Sequence, residues 1–125
     1  MMASAESIDM LKIAADAASS KGGEDLVVLD VSEPLPLVDV FLLVTGRSER
    51  NVAAIADEIE DKLHEAGVRR LRREGRAESR WVLLDFGDLV VHVFHQEERA
   101  FYALERLWKD CPVLPVEVDT TRPAE

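Results

Sequence analysis

Three kinds of side chain in this chain have types and spacings that chemistry can use: histidines, aspartates beside a glycine turn, and one cysteine. The histidines are His64, His92 and His95. His92 and His95 stand three apart in an extended segment, so they point to opposite faces and cannot share a metal ion. His64 falls on a helical surface. Cys111 is the single cysteine, which excludes a zinc site built on several thiolates and an intramolecular disulfide. Pro112 follows it and no histidine is near in sequence, so it reads as a buried or half-buried thiol near a turn. No metal site is expected.

The aspartates raise one enzymatic possibility. Thr45, Gly46, Arg47 and Ser48 follow an apolar run and open a helix, an arrangement similar to the Gly-Ser turn of nucleotidyltransferases. Such enzymes hold two metal ions on closely spaced carboxylates. Here Phe41 stands two residues after Asp39, where a second acid is wanted, and Asp85 and Asp88 straddle a tight turn. The cage is incomplete, so no catalytic residue and no cofactor is assigned. The alternative reading is a nucleotide-binding or catalytically active nucleotidyltransferase-like protein, because a turn before a helix suits an anion. The chain contains no Gly-x-Ser-x-Gly elbow, Walker loop or dinucleotide fingerprint.

Arginine is concentrated in one place. Residues 69–80 hold Arg69, Arg70, Arg72, Arg73, Arg76 and Arg80 against Glu74 and Glu78, a local charge of +4 in a chain of −10, which leaves −14 elsewhere. Such a strip suits a charged edge strand that discourages sheet-to-sheet aggregation, or a contact with phosphate or an acidic surface. The acidic total argues against a general nucleic-acid binder and permits a basic protein partner.

The elements that must position these residues follow from periodicity. Ser4 or Ser7 is the expected cap of a first helix carrying Ile8, Leu11, Ala15 and Ala18, stopped by Gly22 and Gly23. Leu26–Val31 and Asp39–Thr45 read as buried strands. Ser48 caps a second helix with the stripe Val52, Ile55, Ala56, Ile59 and Leu63, closed by Gly67. Its opposite face, with Glu49, Asp57, Glu60 and Asp61, is expected to be solvated. Val68–Glu74 reads as a strand and 75–79 as a loop. Trp81–Phe86 and Leu89–His95 are two strands joined by Gly87 and Asp88, a two-residue loop with glycine first. A third helix is expected over Glu97–Lys109, burying Phe101, Leu104, Leu107 and Trp108, and Val116 and Val118 suggest an edge strand. Runs of strands mixed with helices predict an α/β (α+β) fold with a mixed sheet of about five strands flanked by helices.

The hairpin loop fixes a register. Phe86 pairs with Leu89, Asp85 with Val90, Leu84 with Val91, Leu83 with His92, Val82 with Val93 and Trp81 with Phe94. One face then holds Val82, Leu84, Phe86, Leu89, Val91 and Val93 and belongs under the helices. The other holds Trp81, Leu83, Asp85, Val90, His92 and Phe94, aromatic anchors with polar groups among them: either a binding surface, or a face that a neighbouring helix covers with its polar groups satisfied locally. Tyr102, off the buried stripe of the third helix, is expected at the border of this patch.

At 125 residues, 47% of them hydrophobic, the chain can bury one ordinary core, so a single domain over residues 1–119 with a short disordered tail at 120–125 is expected. No apolar run reaches the roughly 20 residues that span a bilayer, and the N-terminus lacks the pattern of a signal peptide. A cytoplasmic, reducing setting fits the lone cysteine.

Several stretches together resemble one family: Trp81–Asp88 (WVLLDFGD), Val91–Phe94 (VHVF) and Arg99–Trp108 (RAFYALERLW), with Asp39–Phe41, Thr45, Gly46, Ser48, Arg50, Ile55–Glu58 and the Glu74–Gly75 pair upstream. In order and spacing these resemble the ribosomal silencing factor family (RsfS, also called Iojap) over residues 7–119. The resemblance implies a mixed sheet flanked by helices, similar to a degenerate nucleotidyltransferase. It also implies binding to the large ribosomal subunit through the ribosomal protein numbered fourteen, which blocks joining of the small subunit and represses translation. The hairpin face supplies the expected partner-binding residues, Trp81, Leu83, Asp85, His92 and Phe94, with Tyr102 at its border. Arg69, Arg70, Arg72 and Arg73 are candidates for a peripheral contact with ribosomal RNA, and a homodimer on the same face is an open alternative for the free protein. Arg80 stands where the family has a small residue, and 69–73 is unusually rich in arginine.

Overall fold

Alanine dominates the buried side of the first helix, α1 (Ala5–Ser20), where Leu11, Ala14, Ala15, Ala17 and Ala18 are buried. Small side chains let its backbone approach the neighbouring elements closely. A computed structural model describes residues 5–32, 38–75, 80–97 and the backbone of 113–114. Ser7 is not the cap of α1. It lies inside the helix, fully buried, and its hydroxyl donates to Asp39 Oδ2 at 2.9 Å, because the long-range carboxylate offers a partner that a terminal turn does not. The expected stop holds: Gly22 takes φ +80°, and the Gly23 amide donates to the Ala18 carbonyl at 2.8 Å.

The chain continues through β1 (Glu24–Asp30), β2 (Val40–Gly46), α2 (Glu49–Glu65), β3 (Arg72–Gly75), β4 (Trp81–Asp85), β5 (Leu89–His95) and β6 (Val113–Leu114). These strands form one sheet in the order β3-β4-β5-β2-β1-β6. The β2–β5 pair is parallel and the others are antiparallel, so the sheet is mixed as expected. Five strands are of ordinary length and β6 adds two residues at the edge. The described edge pairing, Val113–Leu114 against Leu29 and Val28, lies upstream of the expected Val116–Val118. Residues 98–109 of the expected third helix, including Tyr102, lie outside the described residues, as do 116–118 and the tail at 120–125.

Ser48 caps α2 as its sequence predicts, its hydroxyl accepting from the Asn51 amide at 3.0 Å. Gly67, at φ +85°, closes the helix. The stripe Val52, Ile55, Ala56, Ile59 and Leu63 is buried and packs with α1 against one sheet face. That face supplies Val28, Val40, Leu42, Val44, Val82, Leu84, Phe86, Leu89, Val91 and Val93 to the main core. The hairpin residues expected under the helices are all among them. The other sheet face carries a second, smaller cluster of Leu29, Val31, Leu43 and Phe94, with Val27, Val38, Phe41 and Trp81 packed on it.

Candidate functional site

The second sheet face is built by the hairpin. Gly87 takes φ +91°, a conformation that favours glycine, and the Phe86 amide donates to the Leu89 carbonyl at 2.9 Å. Asp85 reinforces the loop, its Oδ1 accepting from the Gly87 amide at 2.8 Å. The register beyond it is the one the loop length predicts: Trp81 opposite Phe94, Leu83 opposite His92, Asp85 opposite Val90. Strand parity then puts Trp81, Leu83, Asp85, Val90, His92 and Phe94 on one face.

Within that face the rings are ordered. Trp81 and Phe94 lie 5.4 Å apart at an interplanar angle of 16°, an offset stack across the strands. The Trp81 indole N–H donates to His92 Nδ1 at 3.3 Å. Phe41 meets His92 edge-on, with centroids 5.0 Å apart and planes at 64°. Such contacts add to the burial energy of the rings themselves.

Exposure divides the group. Trp81, Leu83 and Asp85 are half-buried, whereas His92 is 6% and Phe94 0% exposed. This corrects the expectation that all the aromatics stand out as anchors: Phe94 is a core residue of the second cluster and His92 lies beside it. The accessible part is the β4 row. Burial also lowers the His92 pKa from 6.5 to about 4, since desolvation disfavours the cation. The imidazole is therefore neutral near pH 7. As Trp81 can only donate, His92 Nδ1 is the acceptor and the proton sits on Nε2, which is buried with no hydrogen-bond partner among the described residues.

Phe41 is the member of this face that sequence reasoning did not place. Its position depends on the parallel pairing of β2 with β5, which sets Phe41 beside Val90. A contact so distant in sequence leaves no local periodicity; the only available signal was its alternation with the core-facing Val40 and Leu42.

The arginine strip lies along a charged sheet edge, as one of its two readings had it, and several of its members are engaged by α2. β3 is the sheet edge, and Glu60 of α2 receives both Arg70, at 2.7 Å, and Arg73, at 3.2 Å. Arg73 also reaches Asp57 at 2.9 Å, and Arg80 pairs with Glu49 at 3.4 Å and Glu97 at 2.9 Å. The acidic face of α2 is thus not simply solvated; it holds the strip. Arg72 has only a 3.7 Å contact with Glu74, and Arg69 makes no ion pair among the described residues. Both are exposed.

The turn at Gly46 has a packing explanation. A Cβ there would lie 2.7 Å from Val52 Cγ2 and 3.1 Å from the Val52 amide nitrogen, so glycine is needed for α2 to start against β2. The Arg47 amide donates to Asn51 Oδ1 at 2.9 Å, and Arg47 reaches Glu24 at 3.5 Å. Among the described residues no three His, Cys, Asp or Glu side chains are grouped to hold a metal ion. Asp39 is engaged by Ser7 and Asp85 by its own loop.

Comparison with known proteins places this arrangement. The family model described as "Ribosomal silencing factor during starvation" matches residues 4–125. The chain is 46% identical over 108 residues to the ribosomal silencing factor RsfS of Bacillus subtilis, covering 86% of this chain and 92% of that one. It is 31% identical to the chloroplastic protein Iojap of Zea mays, covering 94% of this chain and 51% of that protein. A crystal structure of a Chromobacterium violaceum protein superposes with a TM-score of 0.80 at 34% identity, covering 94% of each chain. One from Bacillus halodurans gives 0.78 at 41% identity, covering 87% of this chain and 99% of that one.

Proposed function

The chain belongs to the ribosomal silencing factor family, and from that premise we propose that it docks on the large ribosomal subunit through the ribosomal protein numbered fourteen. Docking there keeps the small subunit from joining and so represses translation. The mechanism is steric. It asks for affinity and placement and for no catalytic residue, metal or cofactor.

The observation that carries this reading is the β4 row of the aromatic face. Trp81 and Leu83 are half-buried apolar groups, backed by the buried rings of Phe94 and His92 and flanked by Asp85. An aromatic anchor on a stiff support with a polar rim is how protein interfaces concentrate binding energy. The charge balance supports a basic protein as partner, since the chain outside residues 69–80 carries −14. Tyr102 is proposed at the border of this patch. Arg69 and Arg72, exposed at the sheet edge, are the proposed peripheral contacts with ribosomal RNA. Arg70 and Arg73 support them by tying β3 to α2. A homodimer that covers the same face in the free protein would compete with subunit binding. The cytoplasm, where ribosomal subunits meet, is the proposed location.

Gradient sedimentation with purified subunits tests the reading. The protein should travel with the large subunit and not the small one, and should slow subunit joining in a light-scattering assay. Unaltered joining at saturating protein would reject it.

A further inference from the structure

His92 brings a polar ring beside the second cluster and leaves Nε2 buried with no partner among the described residues. An unsatisfied buried donor is costly and calls for an explanation. The opposite ring nitrogen supplies one. Nδ1 accepts the Trp81 indole N–H at 3.3 Å, with the two ring planes only 24° apart and their centroids separated by 6.0 Å. The two rings are thus near-parallel and offset, and the hydrogen bond joins them. Phe94 lies against Trp81 at 5.4 Å, Phe41 abuts His92 at 5.0 Å, and the antiparallel register places Trp81 and His92 diagonally on neighbouring strands. Stacking alone restrains the tilt of an indole more than its sense about χ2. A hydrogen bond at one edge selects a single orientation.

We propose that His92 is a positioning residue for docking: its Nδ1 holds the Trp81 indole in the one orientation that the partner protein meets. The inference rests on the proposed docking face and adds the group that presets it. Preorganising an anchor lowers the ordering cost of binding, so the benefit appears in affinity more than in fold. His92 need not touch the partner, which agrees with its burial.

A double-mutant cycle tests this, using the full chain and purified large subunits. His92→Phe keeps the ring volume and removes the acceptor; Trp81→Phe keeps an aromatic and removes the donor. Binding should weaken roughly tenfold for His92→Phe in the native background, the scale of one lost partly buried hydrogen bond. In the Trp81→Phe background the same change should cost less than about twofold, because the bond is already gone. His92→Asn, whose amide oxygen can replace Nδ1, should stay within about threefold of the native chain. Equal losses in both backgrounds, or no loss in either, would overturn the proposal, since a packing role does not depend on the indole N–H. Long-range proton–nitrogen NMR on the native protein gives an independent reading: Nε2 protonated and Nδ1 bare is expected, and the reverse tautomer sinks the proposal even if His92→Phe fails to fold. Trp81→Ala separates the two levels. Native affinity in Trp81→Ala removes the docking face and this inference with it. Weakened Trp81→Ala beside an unaffected His92→Phe removes the inference alone.

Discussion

His92 shows how one residue can tie stability to acidity. Its folded pKa of about 4 lies below the ordinary 6.5, so the unfolded chain binds the proton more readily. Stability from this group is complete above about pH 6.5 and is lost as pH falls towards 4; below that both states are protonated and the loss stops. The full loss is about 3 kcal/mol. Urea titrations between pH 7 and pH 4 should show the decline, and His92→Phe should flatten it. An unchanged slope would mean that the imidazole is not buried neutral. The residue type announced a titratable group, but nothing local announced its burial. His92 is covered through strands β4 and β2, where it pairs with Leu83 and Leu43, and only the first of those pairs follows from a hairpin.

Among the elements, the hairpin was the most legible because a two-residue loop leaves one register. Its two faces make opposite predictions. Val82 is 2% and Leu84 0% exposed beneath the helices, so Val82→Asp or Leu84→Asp should unfold the protein by placing a carboxylate in the core. Circular dichroism should show the loss, and a folded Leu84→Asp would invert the assignment of the faces. The edge strand was legible only in part. Its arginines suggested an exposed charged edge, which β3 is, but their partners sit on α2 and depend on how the helix crosses the sheet. Glu60, 20% exposed at its side chain, bridges Arg70 and Arg73. With solvent screening, its removal should cost at most about 1 kcal/mol. Glu60→Gln should therefore speed amide exchange in β3 while leaving α1 and β2 protected; exchange unchanged throughout would show that the pairs contribute nothing. The caps divide similarly. Ser48 precedes a strong apolar stripe and caps it, whereas Ser7 stands in a helix that starts earlier and answers to Asp39 across 32 residues of sequence.

At the scale of the whole molecule, charge and shape assign different tasks to different edges. The acidic bulk suits a basic protein, and the exposed Arg69 and Arg72 offer a local exception at the β3 edge. Reversing both to glutamate should weaken large-subunit binding only a few-fold and flatten its salt dependence, since each lost phosphate contact reduces the slope by about 1. The aromatic face should matter more. Truncating a central aromatic anchor typically costs about 2 to 4 kcal/mol, roughly 30- to 1,000-fold in affinity. Co-sedimentation of Trp81→Ala with purified large subunits is the most direct measurement. A protein with native circular dichroism should leave the subunit fraction and no longer inhibit joining. A folded Trp81→Ala chain that cosediments and inhibits as the native protein does would contradict the assignment of this face.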